Sequence, residues 1–268
     1  MSEEKKIPAY DEIVRQVHHS LPHLADILKR AHDNRSKLLN ERAKGIRFEG
    51  LNEWIGHLKI LETIFADPRI HTLKFLVVRT RSNYEAAIEA TLSGLPSVVF
   101  DSMRDVMEVD LLLQDFVANP SNINLWLNAN NRTLMDIFAP KHLRKRKAER
   151  LGLTARNQLP DTRDYDGHSH ALHVQPVVYP HERRGLVELG HPVFDDFCFW
   201  EMLGHARSIA ETINSLLREV ATEFASADDL KTRLPKLTHA HKQVLEYSEI
   251  MNGLARAAAS VKGKRASD

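Results

Sequence analysis

Residues 97–118 read SVVFDSMRDVMEVDLLLQDFVA. Val98, Val99, Met103, Val106, Met107, Val109, Leu111, Leu112, Leu113 and Phe116 are too many for one stripe and cover most of a helix's circumference. A helix that is apolar nearly all round must be covered nearly all round. The stretch therefore predicts the central helix of a helical bundle. Pro96 stands where a helix can begin without losing a hydrogen bond. Asn119-Pro120-Ser121 ends it.

Helical periodicity continues on both sides. Upstream, Phe75, Leu76, Arg79, Ala86, Ala87 and Ala90 mark a helix from Thr72 to about Leu92, stopped by Ser93-Gly94. Leu51, Trp54, Ile55, Leu58, Leu61 and Ile64 form an amphipathic stripe over Leu51–Phe65, after the turn residues Gly45 and Gly50. Asp11 to about Lys44 reads as one polar helix or a pair broken at Pro22, with Ile13, Val17, Leu21, Leu24, Ile27 and Leu28 at helical spacing. Downstream come a short piece with Trp126, Leu134–Phe138, and a basic helix from Pro140 to near Gly152. Arg163–Val174 is a helix stopped ahead of Pro176, because the residue before proline avoids the helical region. Phe194–Phe224 and Asp228–Ala259 complete the set. The fold class expected is all-α: a bundle at 67–225, N-terminal helices at 1–66 packing on it, and a C-terminal helix with a polar tail at 226–268.

Composition narrows the function. Gly and Pro number only 11 each, which suits long helices rather than strands and turns. The formal net charge of +1 means that any nucleic-acid contact must come from a local patch. A single cysteine, Cys198 between Phe197 and Phe199, excludes an internal disulfide and a multi-cysteine zinc site and reads as core. Met1–Tyr10 is charged, and no apolar run approaches the roughly 20 residues needed to span a bilayer. No membrane association is expected, and a cytoplasmic location is. Gly-rich phosphate loops, serine elbows and paired-cysteine motifs are absent from the sequence, against nucleotide hydrolases, α/β-hydrolases and zinc fingers.

The densest polar cluster is Arg163-Asp164-Tyr165-Asp166-Gly167-His168-Ser169-His170-Ala171-Leu172-His173. Asp161 or Thr162 can cap a helix starting here. Arg163, Asp166, His170 and His173 then share one face, and Tyr165, Ser169 and His173 a second. Histidine exchanges protons near neutrality, and arginine offers a planar fork to phosphate oxygens. Those are the groups that metal-independent RNA cleavage needs. The bland alternative is a hydrogen-bonded helix start that fixes the bundle. His168–His173 approaches a His-x-His-x-Asp-His metal motif, but Leu172 stands where the aspartate would be. No metal and no cofactor are expected.

Two further features bear on this. Lys141, Arg144, Lys145, Arg146 and Lys147 form the strongest basic run, able to track a phosphate backbone or to be a solvated helix face. Arg104 and Glu108, four apart in the apolar helix, read as a buried ion pair that orients the bundle.

Arg163-Asp164 followed by His168, or by His170, resembles the arginine–polar–spacer–histidine motif of the HEPN superfamily of helical-bundle proteins. Tyr165, Ser169, His173 and Pro176, with Arg104 and Glu108, also resemble a pattern in uncharacterised bacterial HEPN-like proteins. The likeness spans about residues 75–217. It implies an HEPN-like core and a metal-independent endoribonuclease of a bacterial defence or toxin-type system, with RNA as partner. It also implies a homodimer whose two subunits bring their motifs together. In that reading Arg163 holds phosphate, His168 or His170 moves protons, and Asp164 or Asp166 orients the imidazole. The alternative from another class is a non-catalytic helical module. Its polar cluster would stabilise a helix junction, and its long terminal helices would bind a protein partner.

Overall fold

The computed structural model describes residues 10–42, 45–155, 158, 159, 161, 162, 165, 192–222, 235 and 239. Among the described residues there is no strand, and the chain is an all-α bundle. In order, the helices are α1 (Tyr10–Ser20), α2 (Pro22–Arg42), α3 (Ile46–Ile64), α4 (Lys74–Leu92) and α5 (Pro96–Ala118). They continue with α6 (Ser121–Leu127), α7 (Asn131–Thr133), α8 (Pro140–Arg150) and α9 (Pro192–Val220). A 3-10 turn at His71–Leu73 leads into α4, and a wider π turn at Leu134–Phe138 leads into α8.

The apolar stretch 97–118 is the centre, as its composition requires. α5 packs chiefly on α9 and α4, and also touches α8 and α6. Val99, Met103, Val106 and Phe116 are fully buried in it. Leu51, Trp54, Leu58 and Leu61 of α3 enter the same core cluster. Trp54 meets Tyr84 of α4 edge to face at 5.4 Å, and the Tyr84 hydroxyl donates to the Met202 carbonyl of α9 at 3.0 Å. One aromatic pair and one hydrogen bond thus tie three helices together.

Two glycines end helices for the same reason. Gly94 and Gly152 have φ of 73° and 68°, in the left-handed region that side chains avoid. Each lets the next N–H fold back on the last turn: Leu95 donates to the Ala90 carbonyl at 2.8 Å and Leu153 to that of Ala148 at 2.9 Å.

The N-terminal pair differs from the amphipathic expectation. Pro22 divides α1 from α2, yet Leu21 still donates to the Val17 carbonyl at 2.7 Å and accepts from Ala25 at 3.0 Å. The Asn34 amide of α2 donates to the Thr91 and Leu92 carbonyls at the end of α4. Ala25 and Leu38 are buried, whereas Leu21, Leu24 and Ile27 are 54%, 45% and 55% exposed. Apolar spacing marked a face but did not show what covers it. Among the described residues no helix is long and apolar enough to cross a membrane. The helix expected over 228–259 lies outside the described residues, apart from Pro235 and His239.

Candidate functional site

A cavity of about 230 Å3 lies between α5, α8 and α9. α5 contributes Asp110 and Gln114 beside Met107 and Leu111. Arg144 and Lys147 come from α8, and Trp200, Glu201, Gly204, His205 and Ser208 from α9. These follow the three- and four-residue spacing that puts side chains on one helix face. Asp161 and Tyr165 complete the lining. The Tyr165 N–H donates to the Asp161 carbonyl at 2.9 Å, so the two sit one helical turn apart.

Tyr165 is held between two guanidinium groups. That of Arg144 lies 4.1 Å from the ring centroid and that of Arg104 5.1 Å. Such contacts contribute about 0.5–2 kcal/mol each, more as they are desolvated. Arg104 also donates to the Tyr165 hydroxyl at 3.3 Å and to Glu108 at 3.2 Å. Arg144 is 4% exposed and donates to the Thr162 hydroxyl at 2.9 Å. Burial and the Glu108 charge push the Tyr165 phenol above 10.0, against the two arginines. It is therefore a hydrogen-bonding phenol at neutral pH, not a base.

Acidic groups face this basic wall. Asp161 takes the Lys147 ammonium at 2.6 Å. Glu201 is buried, with an oxygen 3.2 Å from His205 Nε2. Asp110, also buried, accepts from the Ser208 hydroxyl at 2.7 Å and the Gln114 amide at 3.0 Å, both on Oδ2. Asp110 Oδ1 and Arg144 Nε are buried without a protein hydrogen bond, and Asp161 Oδ1 lies 4.0 Å from the Arg144 guanidinium.

Asp110 has a measurable consequence for stability. Burial raises its carboxyl above 3.8, outweighing the hydrogen bonds and the nearby Lys147 charge. The unfolded chain then loses this proton first as pH rises, so the group subtracts stability once pH passes its unfolded value. Asp110→Asn is expected to raise the melting temperature at pH 7. The gain should vanish below pH 4. Thermal melts at both pH values check this, and a lower melting temperature at pH 7 would contradict it.

Of the candidate residues, Arg104, Glu108, Tyr165, Arg144 and Lys147 gather at or beside this cavity. Arg163, Asp164, Asp166, His168, Ser169, His170 and His173 lie outside the described residues. The basic run of α8 is not one outward face. Arg146 donates twice to Asp115, at 2.8 and 2.9 Å, and once to the Ile137 carbonyl at 2.8 Å. Arg144 and Lys147 turn to the cavity. Lys141 and Lys145 remain exposed, the latter 3.8 Å from Glu149. The Arg104–Glu108 pair forms as its spacing predicts, half-buried rather than enclosed.

Asp110, Glu201, His205 and Ser208 are additions to the residues named from the sequence, where Asp161 figured only as a helix cap. Two signals were present: a carboxylate inside the most apolar helix, and a Glu–His pair four apart on α9. Trp200 of α9 also borders the cavity. Among the described residues no group of three metal-binding side chains comes together. Compared with known protein families, curated proteins and solved structures, the chain matches none of them.

Proposed function

We propose that this protein is an HEPN-like, metal-independent endoribonuclease of a bacterial defence or toxin-type system, acting as a homodimer. One observation carries the reading. Tyr165, two positions after Arg163 in the sequence, is held by Arg104 and Arg144 beside a cavity that Lys147 also lines. Tyr165 falls within the arginine–histidine segment of the sequence, and the guanidinium groups beside it are cations of the kind that attract a phosphodiester. In the reaction His168 or His170 takes the ribose 2′-hydroxyl proton, and that oxygen attacks phosphorus. The 5′-oxygen leaves with a proton from the other of these two histidines in its protonated form, giving a 2′,3′-cyclic phosphate and a 5′-hydroxyl. Arg163 holds the phosphate oxygens, and Asp164 or Asp166 orients the imidazole. The outward Lys141 and Lys145 hold the RNA backbone.

The test incubates the full chain with total RNA in excess chelator, beside Arg163→Ala and His168→Ala/His170→Ala. Cleavage by the parent, reduced by roughly 10²-fold or more in both variants, is the expected result. An inert parent that melts as a folded protein, or variants as active as the parent, would remove the nuclease reading.

Exposed Leu21, Leu24 and Ile27 favour the second reading, a non-catalytic module that binds a protein partner through α1 and α2. RNA left intact by every protein selects it.

A further inference from the structure

We propose that the Phe75–Trp126 stack, where α4 meets α6, is a platform on which an unpaired base of single-stranded RNA stacks, with cations on both sides for the strand's phosphates. The choice of RNA as occupant rests on the nuclease reading. Neither ring lines the cavity between α5, α8 and α9.

Three rings lead from the core to the surface. Phe116 of α5 is fully buried, and Trp126 of α6 meets it edge to face at 5.5 Å. Phe75 of α4 lies on Trp126 at 5.3 Å, with the ring planes 9° apart. A parallel stack covers only one face of its last ring. Phe75 is 47% exposed even with Trp126 against it, which leaves its outer side to solvent. Such a face takes another flat π-system in offset stacking, and every nucleobase has one. Phe116 fixes Trp126 from behind, so an arriving base meets a surface that is already ordered.

Charge favours a nucleic acid over an apolar partner. Asn122 and Trp126, four apart, share one side of α6. Asn122 donates to Asp115 Oδ2 at 2.8 Å, and the same carboxylate takes Arg146 and Arg150. Two guanidinium groups thus answer one negative charge, and at 30% and 35% exposure they present the surplus to solvent. On the other side, Lys74 opens α4 beside Phe75, with no acidic residue in that first turn. A phosphate backbone can pass from Lys74 over the stacked base to Arg146 and Arg150, and on to the exposed Lys145 of α8. That helix also carries Lys147 to the cavity, so the bound strand lies along the site proposed for cleavage. Duplex RNA keeps its bases stacked on one another, so a single strand is the form that the platform holds.

The test measures fluorescence anisotropy of an end-labelled, mixed-sequence 2′-O-methyl RNA of about 12 nucleotides, titrated with the full chain. Its blocked 2′-oxygen cannot attack phosphorus, so binding is read without cleavage. The single strand is expected to bind more tightly than the same strand annealed to its complement, although the duplex carries more phosphate. Phe75→Leu keeps apolar cover on Trp126 but removes the ring face, and should weaken binding by roughly 10-fold. Phe75→Trp should restore it, and Lys74→Ala should flatten its salt dependence. Thermal melts of each variant near that of the parent separate lost binding from lost folding. No binding, duplex held as tightly as single strand, or full affinity in Phe75→Leu would overturn the platform. Exposed Leu125 and Leu127 flank Trp126 in the sequence. No RNA bound, with an oligomeric state that changes in Phe75→Leu, would assign the patch to contact between copies and overturn the platform too. Single strand bound through Phe75 with natural RNA left uncut supports the platform and removes the nuclease. RNA cut equally well by the parent and Phe75→Leu, with equal affinity, removes the platform and leaves the nuclease.

Discussion

Replacing Asp115 with alanine should cost about 2–3 kcal/mol at pH 7, and that cost should shrink as the pH falls below 4. The carboxylate is 2% exposed and joins α5 to α8. Arg146 gives it two hydrogen bonds, Arg150 one at 3.2 Å and Asn122 one at 2.8 Å. Burial alone would push the carboxyl up. The hydrogen bonds from Arg146 and Asn122 and the charges of Arg146 and Arg150 more than reverse this, so it titrates below 3.8. A depressed carboxylate adds stability that is complete above the unfolded value and lost as pH falls through the folded one. The figure stays below the upper range for broken buried pairs because Arg146 and Arg150 are 30% and 35% exposed and can turn to water. Urea unfolding at pH 7 and pH 3 measures both parts. A pH 7 loss below about 0.5 kcal/mol, or a deficit unchanged at pH 3, would show that this network does not hold α8.

The neighbouring residue gives the larger and simpler effect. Phe116→Ala should destabilise by about 3–5 kcal/mol, the same at both pH values. Phe116 is fully buried and meets Trp126 edge to face at 5.5 Å. Trp126 stacks in turn on Phe75 at 5.3 Å, and Phe75 is 47% exposed. Truncation leaves a void at the buried end of this aromatic series, and the α6 ring loses its inner support. A shift in tryptophan emission should accompany the loss of stability. Unfolding within about 1 kcal/mol of the parent would mean that the void closes by collapse.

The fold was legible because its determinants are local. The near-continuous apolar cover of 97–118 demanded a central helix, and α5 is one. Ser93-Gly94 ended a helix because only a residue tolerant of positive φ fits there. The α1–α2 stripe was legible only as a pattern, since spacing reports a face and not its partner. In the site, the Arg104–Glu108 pair followed from i,i+4 spacing. The approach of Tyr165 to Arg104 and Arg144 joins three chain segments, and no local period encodes it. Nor could the basic run of α8 announce that Arg146 and Arg150 point at Asp115. Charge is written in the sequence, but its direction is a tertiary property.

The pairing of α5 with α9 also shapes how the polypeptide is made. α5 is finished at Ala118, but its chief partner ends at Val220, about a hundred residues later. At roughly 5–20 residues per second, translation leaves that interval at on the order of 5–20 s. Throughout it, α4 can dock on the emerging helix while the surface destined for α9 stays bare at the ribosome. Holdase chaperones that bind apolar segments have their target there, and a slow-codon stretch after Ala118 would prolong their access.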